Sequence, residues 1–397
     1  MKKFFIAFLA FALAAGNLFA EVTISGSVLE GVQVIGGSTQ EDSDITAGHS
    51  LTQGRLWATF SNDEGTFGGL ARVQGGPDGA AFNARLFGWW QPISQLRLTL
   101  GQDGNGQFGV NYVVGWGFHA NDAEDYVAYN GYGFTRNAWA YAGFDVLGAT
   151  LSIKPIDGLA INLAIPYTAP TAGVYAEAAR QYNHIHAQAV YAISGIGEIA
   201  VTFTGSNNEI TVTPKKDDPT DFDVSISANA IYGQFFLTAV ENLSLNIGLK
   251  YTLPVTTEFP GIGDATYNTP IGAGFGVAYA VSDTFGVKAR LAATFAGSKE
   301  QSGTTIDDPF HLGFDLMPYF DLSILKIFVN LGLEYTAAED APGAEAIFGW
   351  YLNPYITKTV GGGTFYAGFQ LSSDGTKTAG DDLIIKWSIP VGLQVAF

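Results

Sequence analysis

The sequence predicts an all-β protein, a transmembrane antiparallel up-and-down β-barrel of about 18 strands, with about 16 as the alternative count. Three observations lead to this prediction. The chain begins with a segment typical of exported proteins. Apolar residues alternate with small or polar ones along most of its length, and no other apolar stretch approaches the length of a transmembrane helix.

The N-terminus has the three parts of a secretory signal peptide. A short basic start is followed by an apolar run from Phe4 to Ala15 and then by the small residue Ala20. The apolar run is shorter than the roughly 20 residues with which a helix crosses a bilayer, which disfavours a membrane anchor. We therefore predict a signal peptide at residues 1–20, cleaved after Ala20, and a single barrel domain at residues 21–397.

Composition and charge narrow the classes of function. The chain has 50 glycines, 14% aromatic residues and no cysteine, so neither disulfides nor thiolate metal sites stabilise it. The formal net charge is −18, and loss of the two lysines in the signal peptide makes the mature chain still more acidic. We therefore expect no nucleic acid partner. His184 and His186 lack a third ligand nearby, so we predict no metal site, and no cofactor is expected.

Short turns separate the alternating runs in pairs, as β-hairpins require. On both sides of Asp283, for example, every second residue from Ile271 to Val281 and from Phe285 to Phe295 is apolar. Such turns are predicted at Asn62–Gly65, Pro92–Ser94, Ile156–Gly158, Gly195–Gly197, Val240–Asn242, Val281–Asp283, Asp321–Ser323 and Val360–Gly363.

Longer polar connections alternate with the short turns. They are predicted at Gly36–Ser50, Gly75–Gly79, Asp103–Phe144, Tyr167–Asn183, Ser206–Asp221, Pro254–Pro270, Ser298–Pro309, Ala337–Ala344 and Asp374–Asp381. The hairpins, together with a first strand at Val22–Ile35 and a last strand at Leu383–Phe397, give the even count. An even count places both termini at the end of the short turns, which in this topology is periplasmic.

A soluble β-sandwich is the alternative to a membrane barrel. Nearly every hairpin has one apolar face and one face with charged or small residues, and the sequence predicts no helices to cover the apolar face. Such a sheet is stable only when lipid covers that face, which favours the barrel. Aromatic residues near strand ends are predicted to form interfacial girdles: Trp57, Trp90, Tyr232, Tyr251, Tyr335 and Trp387.

The last strand carries the most specific local pattern. Apolar residues occupy every second position from Leu383 to Phe397, and the chain ends on that phenylalanine. Pro390 interrupts the pattern, because proline removes a donor from the hydrogen-bond ladder. We expect a bulge or the barrel seam at that point.

The chain resembles the general porins of the diderm bacterial outer membrane. The resemblance covers the mature chain as architecture, and Phe397, Val395 and Leu393 resemble the signal that the outer-membrane assembly machinery reads. It implies localisation in the bacterial cell outer membrane, contact with outer-membrane lipids and passage of small hydrophilic solutes. It also implies a homotrimer, with a monomer as the alternative.

Four of the seven arginines fall in the second to fifth predicted strands. They are Arg55, Arg72, Arg85 and Arg97. A charge facing lipid at the midplane costs about 2–4 kcal/mol, so alternation places these side chains in the lumen. On adjacent strands they form a basic wall, and such walls filter ions in a water-filled pore. Lys288 and Arg290 are lumenal by the same alternation, on a strand farther along the sheet.

The longest connection, residues 103–144, directly follows the strand of Arg97. It contains Asp122, Glu124 and Asp125. In porins the third long loop folds into the barrel, so the resemblance implies that these acids face the arginines across a constriction. The alternative is an outside loop whose acids are merely solvated.

These patterns predict a porin that passes small hydrophilic solutes by passive diffusion. The alternative function is a surface adhesin or antigen barrel that binds host or environmental ligands, with or without pore activity. An enzyme is not expected, because no G-x-S-x-G motif occurs and no Ser–His pairing is recognisable in the sequence.

Overall fold

A computed structural model describes most of the chain that follows the predicted signal peptide. The described residues are 21–40, 43–75, 86–103, 146–166, 185–205, 207–212, 222–227, 229–253, 255–259, 263–268, 271–295, 297–301, 304–307, 310–338, 346–373 and 384–397. The predicted signal peptide at 1–20 and all but the first residue of the connection at 103–144 lie outside them.

The described structure consists of β-strands. They are β1 (Glu21–Ser38), β2 (Thr46–Ser61), β3 (Phe67–Gly75), β4 (Leu86–Ile93), β5 (Leu96–Asp103), β6 (Val146–Ile156), β7 (Leu159–Pro166), β8 (His186–Ile193), β9 (Gly197–Thr204), β10 (Asn207–Val212), β11 (Phe222–Ser227), β12 (Ala230–Leu237), β13 (Leu243–Thr252), β14 (Val255–Phe259), β15 (Gly263–Asn268), β16 (Ile271–Ser282), β17 (Phe285–Thr294), β18 (Ser298–Gln301), β19 (Thr304–Asp307), β20 (His311–Asp321), β21 (Lys326–Thr336), β22 (Ile347–Val360), β23 (Gly363–Gly368), β24 (Gln370–Ser373) and β25 (Ile385–Ala396). Within the described ranges there is no helix long and apolar enough to cross a membrane.

The main sheet closes into a barrel. All its strand pairs are antiparallel, and β1 pairs with β2 on one side and with β25 on the other. β23 and β24 both pair with β22 and β25, so they are two parts of one barrel strand, separated at Phe369. The barrel therefore has 18 strands, which confirms the predicted fold class and the higher of the two strand counts.

Every predicted short turn joins two neighbouring barrel strands. Glycines allow several of these turns, because the backbone at Gly158, Gly195 and Gly361 has φ values of +79°, +69° and +60°. Glu21 pairs with Ser61 at the same end of the barrel. Both ends of the described chain therefore lie at the short-turn end, and their periplasmic position stays a prediction.

Three long connections contain strands that the sequence analysis treated as loops. β10 lies in the connection predicted at Ser206–Asp221 and forms a hairpin with β11, which directly follows that connection and belongs to a separate two-stranded sheet. β14 and β15 form a hairpin in the next long connection, and β18 and β19 form one in the connection after it. The two hairpins join through the pairing of β15 with β18. Strand pairing thus continues outside the barrel, because it satisfies backbone donors and acceptors that would otherwise need water.

Pro390 lies in the barrel seam, as predicted. It is opposite Gln33, and the β1–β25 register shifts between Gln33 and Ile35. On the other side of β25, pairing with β23 ends at Val391 and pairing with β24 begins at Ser388. The N–H that Pro390 lacks therefore coincides with a bulge in β1 on one side of β25 and with the break between β23 and β24 on the other.

Candidate functional site

The two faces of the barrel wall have opposite chemistry. Large apolar side chains are exposed on the outer face: Ile24, Val28, Leu86, Leu100, Leu151, Leu163, Ile199, Val201, Ile247, Leu249, Leu291, Leu333, Leu352 and Leu393. Polar side chains are buried on the inner face: Thr99, Thr150, Ser152, Asn162, Gln188, Thr202, Gln234, Asn246, Asn330, Asn353, Ser372 and Ser388. This is the reverse of a soluble protein, and it suits a wall with lipid outside and polar contents inside.

Aromatic residues border the outer apolar face at both ends. At the short-turn end these exposed residues are Phe67, Trp90, Tyr191, Tyr279, Phe320, Phe365 and Phe397. At the other end they are Tyr251, Phe295, Tyr335 and Phe348. Two such belts on either side of an apolar band are typical of membrane barrels.

Two of the predicted girdle residues lie on the inner face instead. Trp57 is opposite Arg72 in the β2–β3 pair, and Tyr232 is opposite Lys250 in the β12–β13 pair. The Lys250 ammonium lies 5.7 Å from the centroid of the Tyr232 ring, at cation–π distance. The prediction was wrong there because alternation, rather than distance from the strand end, decides the face.

Three of the four arginines predicted on the early strands are described, and Arg55, Arg72 and Arg97 all lie on the inner face. The Arg55 Nε donates to Gln74 Oε1 at 3.0 Å. Arg97 is 6% exposed, and its guanidinium carbon lies 4.4 Å from the Trp89 ring centroid. The register of the paired strands β2 to β5 gives the height of each residue in the wall. Arg72 lies nearer the end with the long connections, and Arg97 lies nearer the end with the short turns. The cations are therefore staggered along the wall, and a constriction at their level stays a prediction.

The remaining members of the predicted constriction lie outside the described residues. These are Arg85 and the acids Asp122, Glu124 and Asp125. Their position relative to Arg55, Arg72 and Arg97 stays a prediction.

Arg290 belongs to a buried ionic cluster that sequence reasoning found only in part. Its Nη2 donates to Asp315 Oδ2 at 3.1 Å, and the two side chains are 4% and 0% exposed. The Tyr351 hydroxyl donates to Asp315 Oδ1 at 2.6 Å and lies 3.1 Å from Asn330 Oδ1. Lys288 lies on the same face of β17, two residues nearer the short turn. The missed signal was Asp315, the acid directly opposite Arg290 once strands β17 and β20 are paired.

Solved structures with a similar fold are outer-membrane proteins. The outer membrane channel DcaP of Acinetobacter baumannii matches with a TM-score of 0.50 and 12% identity, over 95% of this chain and 97% of that one. Salmonella typhi OmpF, in a complex with daunomycin, matches at 0.49 and 10% identity, over 95% and 97%. An anion-selective porin from Comamonas acidovorans matches at 0.47 and 12% identity, over 95% and 99%.

The chain has the porin fold. The closed barrel and the DcaP match support this statement, and at 12% identity that match establishes the fold alone. No protein-family model matches the chain, and no curated protein does.

The barrel also has apolar clusters on its inner face, which sequence reasoning missed. Leu29, Met317, Phe328, Tyr355 and Tyr366 are buried together across the strands next to the seam. The Phe328 and Tyr355 rings stack with centroids 4.6 Å apart. Their signal in the sequence was ambiguous, because both faces of strands β20 to β23 carry aromatic residues.

Some buried polar groups of the inner wall have no hydrogen-bond partner among the described residues. Among the described residues, the side-chain amides of Asn162 and Gln234 are buried and have no protein hydrogen-bond partner. Buried polar groups of this kind are normally satisfied, and inside a barrel water is the available partner. No group of three or more potential metal ligands occurs in the part of the chain that the structure describes.

Proposed function

We propose that the protein is a water-filled channel of the bacterial outer membrane, through which small hydrophilic solutes and ions diffuse passively. The observation that supports this most strongly is the two-faced wall of the closed barrel, apolar outside and polar inside. Passive diffusion needs neither an energy source nor a catalytic group, in keeping with the expectation that the protein is not an enzyme.

Export and assembly are part of this proposal. Residues 1–20 would be removed as a signal peptide, and both termini would lie in the periplasm. Phe397 would be read by the assembly machinery, together with Val395 and Leu393. All three side chains are exposed on the outer face of β25 or just beyond it, where an assembly factor has access to them before lipid does.

The proposed ion filter combines the inner-wall cations with the long connection. Arg55, Arg72, Arg85 and Arg97 would form the basic side, and Lys288 and Arg290 would lie farther around the wall. Residues 103–144 would fold inward, so that Asp122, Glu124 and Asp125 face the arginines. Charges held at a narrow point of low dielectric act strongly on passing ions, which supports this placement.

Planar-bilayer recording tests the channel function. Refolded mature protein should produce stepwise conductance increases as single barrels insert. Purified protein that inserts into vesicles but never conducts would contradict the channel and favour the adhesin. A salt gradient across the same bilayer then gives the ion preference from the reversal potential.

Adhesion is the second candidate function, and one observation favours it. Strands β14, β15, β18 and β19 form a separate sheet at the long-connection end of the barrel. If that end faces outward, the sheet offers an ordered surface to a ligand. Deletion of residues 255–268 should abolish binding of cells to immobilised ligand while conductance remains, if adhesion is a function of this sheet.

We also propose that the protein forms a homotrimer. Glu30 is exposed on the outer face of β1, opposite Leu393 of β25 and within the apolar band. An exposed charged residue within the apolar band makes contact with lipid unfavourable there, which supports contact with protein. Glu30→Leu should shift the molar mass in detergent towards the monomer, whereas Leu393→Ala should leave it unchanged.

A further inference from the structure

A cavity of about 270 Å³ with polar and apolar lining lies beside the barrel seam. Strands β1, β24 and β25 and the start of β2 contribute to it, and its lining includes Gln33, Asp44, Thr46, Gln370, Lys386 and Ser388. Its volume is close to the lower end of the roughly 300–1,000 Å³ range of small-molecule sites.

The cavity has a local cause in the sequence. Pro390 lacks the donor that an uninterrupted ladder needs, and the bulge between Gln33 and Ile35 lies opposite it. The bulge shifts the alternation of β1 by one residue. Gln33 faces the lumen before the bulge, and Gly36, opposite Ser388, faces it after the bulge. Bulges often re-aim side chains next to functional sites.

The lining is held in place by its own hydrogen bonds. Ser388 Oγ donates to Gln370 Oε1 at 2.7 Å, and both side chains are buried. Gln33 Nε2 donates to Thr46 Oγ1 at 2.8 Å and to the Thr46 carbonyl oxygen at 3.2 Å. A Cβ at Gly36 would overlap the Gln33 side-chain amide, so only glycine leaves room for it. The cavity is therefore preorganised, which lowers the entropic cost of binding.

Two opposite charges line the same cavity. Asp44 and Lys386 both border it, and both residues are exposed. The other lining residues carry no charge: Gly37 and Trp387 lie beside amide and hydroxyl side chains, which donate and accept hydrogen bonds. A ligand with one positive and one negative group matches this lining better than a ligand with either charge alone.

We propose that this cavity binds a small zwitterion of the amino acid type. Its carboxylate pairs with the Lys386 ammonium, its ammonium group pairs with the Asp44 carboxylate, and its body lies over Gln370 and Ser388. If the cavity is a solute site of the channel, this proposal rests on the function proposed above. It then names the class of solute that the channel would concentrate at its wall.

The test is a ligand-observed NMR titration of the folded mature protein in detergent at low salt. The probes are L-alanine, acetate, ethylammonium and glucose. We expect saturable binding of L-alanine. Lys386→Gln should weaken the affinity for L-alanine and acetate by about threefold to fivefold, and Asp44→Asn should do so for L-alanine and ethylammonium, since solvent-exposed ion pairs contribute up to about 1 kcal/mol.

Matched charge removals elsewhere serve as controls. Lys358→Gln and Asp63→Asn remove exposed charges at the short-turn end of the barrel, and neither should change the affinity for L-alanine. Far-ultraviolet circular dichroism before each titration verifies that every variant retains its strands.

Three results would overturn the proposal: no saturable binding of L-alanine, equal weakening by the control variants, or glucose binding that competes with L-alanine and survives both substitutions. Bilayer conductance of the same preparation separates the two proposals. Conductance without L-alanine binding rejects the zwitterion site alone, and binding without conductance rejects the channel alone.

Discussion

The pair Arg290–Asp315 shows how much a single buried charge matters in this wall. Both side chains are buried, and the carboxylate also accepts the Tyr351 hydroxyl. Removing one partner leaves the other charge without compensation in a low-dielectric site. The free energy of unfolding therefore depends on the pair as a unit.

Arg290→Met should lower the free energy of unfolding by about 3–5 kcal/mol, because the buried Asp315 carboxylate loses its ion pair. Urea unfolding in lipid vesicles measures this. The control is Lys326→Met, which removes the 3.0 Å ion pair between Lys326 and Asp321 at an exposed turn and should cost at most about 1 kcal/mol. Equal losses in the two variants would contradict the assigned burial of Arg290.

Strand pairs use glycine to hold aromatic rings flat against the wall. On the inner face, rings lie over glycines of the preceding barrel strand: Trp89 over Gly68, Tyr319 over Gly286 and Tyr351 over Gly332. On the outer face, rings lie over glycines of the following strand: Phe60 over Gly69, Trp387 over Gly37 and Phe397 over Gly26. The rings thus lean in opposite directions on the two faces. A Cβ would overlap the ring at five of these glycines and would contact it tightly, at 3.3 Å, at Gly37.

Gly332→Ala should destabilise the barrel by about 1–3 kcal/mol, because the added methyl group overlaps the Tyr351 ring that is fixed by Asp315. Gly233→Ala is the matched control, because nothing lies within 4 Å of its added Cβ. Urea unfolding compares the two variants. A loss as large at Gly233 as at Gly332 would show that strand glycine, rather than ring packing, determines the cost.

At the scale of the whole molecule, the C-terminal residue closes the barrel. Phe397 accepts a hydrogen bond from the Gly26 N–H at 2.8 Å and donates one to the Gly26 carbonyl oxygen at 3.0 Å. Its ring is 71% exposed on the outside. The residue therefore joins the first and last strands and remains accessible to another protein.

Deletion of Phe397 should strongly reduce the fraction of protein assembled in the outer membrane, while the conductance of inserted barrels stays unchanged. Membrane fractionation and bilayer recording measure the two effects. Phe320→Ala is the control, since it removes an exposed aromatic side chain at the same end without touching the seam. Normal assembly of the deleted protein would refute a role of the terminus as an assembly signal.

Charge on the inner wall should set the ion preference of the whole channel. Arg72→Gln combined with Arg97→Gln removes positive charge from the inner face, so the reversal potential should shift towards cations. Lys358→Gln removes a lysine from the outer face and should cause no shift. An unchanged reversal potential in the double variant would place both arginines away from the ion path.

Much of the architecture was predictable because successive side chains of a β-strand point to opposite faces, so apolar and polar residues alternate with a fixed period of two. Strand number and the short turns followed from it. The faces of Trp57 and Tyr232, by contrast, follow from which residues are their cross-strand neighbours. The ionic cluster was missed for the same reason, because Arg290 and Asp315 become neighbours only through the register of β17 and β20.

The sequence by itself determined an all-β closed wall, because its alternation and its turn residues are local properties of the chain. It also placed a disturbance at Pro390, since a missing N–H is a property of the residue. Only the tertiary structure decided that this disturbance opens a cavity between Asp44 and Lys386. Residues more than 300 positions apart in the chain meet there because the first and last strands pair, and no local pattern encodes which side chains then face each other.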